Sequence, residues 1–87
     1  MGIKDNYILH QMNEEYVIIE VSDGSLEFSH VYYINETGAF IFKLLKQGLG
    51  KEDIIQQMAE EYDAPKEKLC SDYEAFLKML QDKKIYE

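Results

Sequence analysis

Two histidines, one cysteine and a scatter of carboxylates are the residues of this chain with the chemistry to act on a substrate or hold a metal. His10 and His30 stand 20 positions apart, each in a stretch that reads as a strand. A general base needs a partner within hydrogen-bond reach, and the sequence places none beside either ring. Both read as surface or strand-edge histidines. Cys70 falls one turn into a helix that starts near Pro65. A helix N-terminus can lower a thiol pKa, but a lone Cys more often packs as a small hydrophobe. One Cys makes no intramolecular disulfide, and with two scattered His it makes no metal set. Glu14, Glu15, Asp23, Glu52, Asp53, Glu60 and Glu61 form no D-x-D-x-D-G calcium loop and read as solvated faces. Gly48-x-Gly50 has no strand before it and no G-K-[ST] after it, so it reads as a helix connector rather than a phosphate cradle. No catalytic constellation assembles. The expectation is a non-enzyme with no cofactor.

Charge narrows the partners. The chain has 87 residues, with 17 Asp and Glu against 9 Lys, no Arg, and a net charge of -8. Nucleic-acid backbones are held by Lys and Arg, so such a chain is a poor candidate for them. No apolar run approaches the roughly 20 residues of a membrane span, and no N-terminal segment reads as a signal peptide. A cytoplasmic location is expected. Hydrophobic residues at 46% and aromatics at 13% exclude a disordered acidic tail. The length suits one domain over residues 1–87.

The elements follow from periodicity. Tyr7–Met12 and Tyr16–Val21 read as an antiparallel hairpin turned by Asn13-Glu14-Glu15. Val17, Ile19 and Val21 share one face of the second strand and are taken as its core face. Ser22-Asp23-Gly24-Ser25 is the clearest turn signal. A third strand then runs from Phe28 to Ile34, strongest at its end. Three sequential strands with short turns favour a meander with the third strand at an edge. Asn35 is a good N-cap for a helix that is apolar on most sides, and Gly48 suits its left-handed C′ position. A second helix runs from Lys51 to about Tyr62, with Ile54, Ile55, Met58, Ala59 and Tyr62 on one stripe. A third runs from Pro65, placed at N1, to about Asp82, with Leu69, Tyr73, Phe76, Leu77 and Leu80 as its stripe. Ile85-Tyr86 fold back or extend. The fold class is α+β: a three-stranded antiparallel sheet followed by three helices, βββααα, with winged helix-turn-helix proportions.

Seven tyrosines in 87 residues are the notable excess. Amphipathic rings suit a wet interface, though small domains also use Tyr to finish a thin core. Tyr32 and Tyr33 stand side by side on the edge strand, so one of them points away from the core. An unpaired edge accepts an added peptide strand, with pockets reading alternate side chains.

Tyr33-Ile34-Asn35-Glu36-Thr37-Gly38-Ala39-Phe40-Ile41-Phe42-Lys43-Leu44-Leu45 resembles the PqqD-like family, the recognition elements for precursors of ribosomally made, modified peptides. Ile54-Ile55-x-x-Met58-Ala59-x-x-Tyr62-Asp63 and Asp72-Tyr73-x-x-Phe76-Leu77-x-x-Leu80 resemble its second and third helices. Ile34 stands where leucine is usual and Phe42 where tryptophan is frequent. Both substitutions are apolar and leave the fold assignment unchanged. The resemblance implies a non-catalytic adaptor. It binds the leader of a precursor peptide and presents it to a modifying enzyme such as a radical-SAM protein or a leader peptidase. The leader would lie as a strand against Val31, Tyr32, Tyr33 and Ile34, walled by Leu69, Asp72, Tyr73 and Phe76. Two alternatives stay open: a regulatory or scaffolding domain that binds a folded partner, and a winged-helix nucleic-acid binder. Lys66, Lys68 and Lys78 against Glu67, Asp72, Glu74 and Asp82 oppose the second. A monomer or an edge-strand dimer fits equally.

One Lys and six acids leave -5 over residues 1–35, while residues 63–87 carry only -1. The strand region therefore holds most of the negative charge. It favours a partner that is basic near the edge, bound less tightly in high salt.

Overall fold

The computed structural model describes residues 2–22 and 24–86, and the side chains at these positions apart from 22 and 25–30. Three strands, β1 (Tyr7–Met12), β2 (Glu15–Ser22) and β3 (Ser25–Ile34), precede three helices, α1 (Glu36–Lys46), α2 (Lys51–Glu61) and α3 (Lys66–Asp82). The sheet is antiparallel in the order β1-β2-β3, so this is the α+β, βββααα arrangement that the periodicity predicts.

Local chemistry sets the turns. Asn13 takes φ 57 between the paired Met12 and Glu15. Asn tolerates that left-handed region better than most side chains. Gly24 takes φ 77 between the paired Ser22 and Ser25. The Asn35 side chain accepts the Gly38 N–H at 2.8 Å and caps α1 as expected. At the other end Gly48 takes φ 87, with Gly48 N–H bonded to the Leu45 carbonyl and Leu49 N–H to the Leu44 carbonyl. That pair of bonds is the Schellman closure, which glycine accepts without a Cβ penalty.

Two local expectations change. Pro65 is the N-cap of α3, with ψ 146, rather than its first helical residue. Its carbonyl accepts from Lys68 and Leu69, and its ring fits either position because only φ is fixed. The core face of β2 is also the opposite one. Ile18 joins Tyr7 and the buried residues of all three helices, and Leu9, Tyr32 and Ile34 pack against that cluster. Val17 and Ile19 lie on the far face, flanked by His10 and Tyr33 and by Ile8 and Val31 respectively. They too have no exposed surface. A period of two separates the faces of a central strand, but an apolar run on both cannot say which one meets the helices.

α1 sits at the centre and packs on α2, α3, β1 and β2. Gly38, Ala39, Ile41, Phe42, Leu44 and Leu45 are all buried along it. α2 contributes Ile54, Ile55 and Met58, and α3 contributes Leu69, Tyr73 and Leu80. α3 ends on Lys84 at φ 62, with Lys84 N–H bonded to the Gln81 carbonyl and Ile85 N–H to that of Leu80. Ile85 is thereby folded back into the core, and Tyr86 bridges to Ile3.

Lys84 occupies a left-handed position that disfavours a Cβ by roughly 1–2 kcal/mol, against about 0.5–1 kcal/mol of extra backbone entropy for glycine. Lys84→Gly is therefore expected to stabilise the fold by about 0.5–1 kcal/mol. Urea unfolding at unchanged m-value checks this, and a loss of stability would contradict it.

Candidate functional site

β3 has one partner, β2, paired through Tyr16↔Ile34, Val17↔Tyr33, Ile18↔Tyr32 and Ile19↔Val31. Its other edge faces no strand among the described residues. The register then breaks: Glu20 pairs with Glu27, so residues 28–30 are in excess opposite the Ile19–Glu20 step. The third strand is thus longer than the sequence suggests but interrupted. A bulge ends the straight edge at Val31. The straight part of the open edge is Val31–Ile34.

α3 passes beside Tyr32 of β3 and the start of α1. Near its C-terminus the Lys83 ammonium lies 5.7 Å from the centroid of the Tyr32 ring. Further back, Phe76 packs directly on the start of α1. A Cβ on Gly38 would stand 2.9 Å from Phe76 Cε1 and 3.2 Å from Asn35 Oδ1. Beside this contact a cleft of about 300 Å³ opens, lined by Asn35, Thr37, Gly38, Lys68, Asp72 and Phe76. Asp72 is paired with Lys68 at 3.3 Å, so the middle of the wall is close to neutral.

The residues expected to form the site separate into two groups. Val31, Tyr32, Ile34, Asp72 and Phe76 are half-buried, and Tyr33 is 70% exposed on the far side of the sheet. Leu69 and Tyr73, 2% and 4% exposed, are core residues and offer no surface to a groove. The helix period explains the difference. Asp72, Phe76, Met79 and Lys83 follow at i, i+4, i+7 and i+11, a stripe about 70° round the helix from the one centred on Leu69, Tyr73 and Leu80. Met79 and Lys83 complete that spacing, which the apolar stripe alone does not mark, and Asn35 shows in the sequence as a helix cap. His10 is exposed on β1, Cys70 is half-buried against the core, and the His30 side chain lies outside the described residues. No His, Cys, Asp and Glu group able to hold a metal occurs among the described residues. None of their helices is long and apolar enough to cross a membrane.

The start of α1 is braced from below. The Tyr62 ring meets Phe40 edge-on, with centroids 5.6 Å apart. Burial pushes the Tyr62 hydroxyl pKa up, the Glu36 charge adds to this, and a hydrogen bond with Thr37 offsets part of it. Burial likewise raises Tyr7, helped by Glu20 and Tyr32, and raises Tyr73, helped by Tyr86.

These features define a class: a small winged α+β domain with an open strand edge and a helix beside it. A profile of the family described as coenzyme PQQ synthesis protein D (PqqD) matches residues 9–85, and the chain belongs to that family. Among curated proteins no match is found. Two solved structures share the fold. TbiB1, solved in complex with the TbiA(beta) leader peptide, is 24% identical with a TM-score of 0.80, over 100% of this chain and 95% of that one. A lasso peptide synthetase B1, complexed with the leader peptide, is 19% identical with a TM-score of 0.77, over 98% of this chain and 94% of that one.

Tyr7, Tyr62 and Tyr73 keep their protons in the folded state above the pH near 10 at which an unfolded tyrosine loses its own. The unfolded chain then binds fewer protons, so stability is expected to fall as pH rises through 10. Ultraviolet titration should show these three tyrosines ionising late, together with loss of helix signal. Ionisation of all seven near pH 10 with the fold intact would contradict it.

Proposed function

We propose that residues 1–87 form a non-catalytic adaptor. It takes the leader segment of a ribosomally made precursor peptide as an added strand on β3 and presents it to a modifying enzyme in the cytoplasm. The single observation that carries this reading is the open Val31–Ile34 edge, with Lys83 of α3 beside Tyr32 and a cleft just past Ile34 at Asn35. Main-chain bonds from Val31 and Tyr33, whose N–H and C=O point away from β2, give sequence-tolerant affinity, while Asp72, Phe76, Met79 and Lys83 read alternate side chains. The leader peptides held by the two similar structures support the same occupant here. A disordered leader loses its freedom on binding, which keeps affinity moderate and release easy.

A second reading, a regulatory domain for a folded partner, draws on the far face of the sheet. The two large hydrophobics exposed among the described residues, Met12 and Tyr33, both lie on it. Pull-down of neighbouring enzymes with and without leader separates the two: capture that ignores the leader favours the second. The nucleic-acid reading keeps only its fold in support, since the net charge is -8.

Titration with short peptides encoded beside the gene is expected to shift the backbone amides of Val31–Ile34. If none does so at high concentration, the adaptor reading fails. Tyr33→Pro should weaken a binding leader about tenfold, the worth of one lost hydrogen bond with strand distortion. Unchanged affinity in a folded variant would rule out strand addition. Gly38→Ala should push the Phe76 ring toward the cleft and lower affinity. Its stability should stay within about 1 kcal/mol of the parent, because better helix propensity offsets the strain. An unaltered affinity there would remove Phe76 from the groove.

A further inference from the structure

We infer that β1 is a second docking edge whose occupant is another copy of this chain, paired β1 to β1 about a two-fold axis at His10. The inference is independent of the adaptor reading, which uses the opposite border of the sheet.

β1 borders the sheet on the side away from β3, and among the described residues it pairs with β2 alone. Edges of monomeric proteins are normally guarded by a Lys, a Pro, a bulge or a covering segment. Tyr7–Met12 has no Lys and no Pro, and it pairs with β2 without a register break. It is also the one element of the six with no Asp, Glu or Lys. A chain of net charge -8 repels its own copy, so an uncharged strand is where two copies can approach.

The free backbone groups fix the register. Asn13 and Glu14 form a two-residue turn, which makes Met12 and Glu15 a hydrogen-bonded pair. Alternation from there turns Tyr7, Leu9 and Gln11 outward. The Tyr7 N–H is held by the Lys4 carbonyl at 3.2 Å, whereas Leu9 and Gln11 keep N–H and C=O without a partner among the described residues. A continuous sheet requires facing residues to share a face. Pairing Leu9 with Gln11 of the other copy meets this and uses all four free groups of each chain. The neighbouring register sets Leu9 against itself and aims the Gln11 carbonyl at the Tyr7 N–H that Lys4 already holds. The next one the other way leaves Leu9 facing the turn at Asn13.

Side chains agree with the chosen register. It puts Ile8 opposite Met12 of the other copy and His10 opposite itself, all on the far face. Met12, 47% exposed, is thereby covered, and the dry surface over Val17 and Ile19 continues across the axis. The ends carry mixed charge, with Glu14 and Glu15 of one copy nearest Lys4, Asp5, Glu20 and Lys46 of the other, so they neither drive nor bar the pairing. The resulting order is β3-β2-β1-β1-β2-β3. Both β3 edges lie at its outer borders and stay open to a peptide. An interface of two short strands falls below the roughly 1,200 Å² of standard size, so the dimer is weak and concentration-dependent.

Sedimentation velocity from about 10 µM to 1 mM, the range of weak interfaces, is expected to show a monomer–dimer equilibrium. Over the same range the Leu9 and Gln11 amides should shift while those of Val31 and Tyr33 stay still. His10→Lys sets two ammonium groups face to face and should weaken the dimer about fivefold. Gln11→Pro removes one outward donor per copy, two bonds per dimer, and should weaken it about thirtyfold, since its N–H takes no part in the β2 ladder. Circular dichroism checks that each variant folds, and His10→Lys, which leaves the backbone intact, decides alone if Gln11→Pro does not. A monomer throughout the range overturns the inference. So does a dimer whose shifts fall on Val31 and Tyr33, or one that folded variants form unchanged. Shifts at Leu9 and Gln11 that need an added neighbouring enzyme give the edge to a different partner and overturn self-pairing too. Leader titration of Val31–Ile34 judges the adaptor reading separately, in monomer and dimer alike.

Discussion

The contact of Phe76 with Gly38 fixes the geometry around the open edge. α3 approaches the first turn of α1 closely because position 38 has no Cβ, which would stand 2.9 Å from the ring. The same glycine gives its N–H to the Asn35 side chain at 2.8 Å. Asn35 directly follows Ile34, the last residue of β3. Cap, glycine and ring thus form one unit, and it sets how closely α3 approaches the end of β3. Any larger residue at 38 changes that spacing before it changes the fold.

A second constraint is the central strand. Val17, Ile18 and Ile19 are all fully buried, although only Ile18 faces the helices. An outer sheet face is usually solvated and polar in such a domain. Here Ile8, Val31 and Tyr33 flank the far side of β2 instead. The far face is thereby dry at its middle while Met12 and Tyr33 remain exposed at its margins.

Much of this architecture is written in the sequence, because caps and turns are local. Asn35, Gly48 and the Asp23-Gly24 pair mark their boundaries by their own chemistry, and short connections make the edge position of β3 follow. Long-range choices are not written there. Leu69 and Tyr73 resemble wall residues as much as core residues until the rotation of α3 is known. That rotation buries Leu69 and Tyr73 and leaves Met79 half-buried and Lys83 exposed. The side of β2 that meets the helices is decided by how α1 packs, which no strand pattern contains. Lys84 shows the converse: a left-handed helix closure built without the glycine that would have announced it.

The bulge at residues 28–30 leaves a straight edge of four residues, hydrogen-bonded on its inner side to the most deeply buried strand of the sheet. So short and stiff a template loses little entropy when a strand arrives, and nearly all of that cost falls on the incoming chain. Were a peptide strand to add there, a guest stiffened by a proline or β-branched residue beside its docking segment would bind more tightly than a glycine-rich one making the same contacts. Stiffness would then count in recognition alongside sequence.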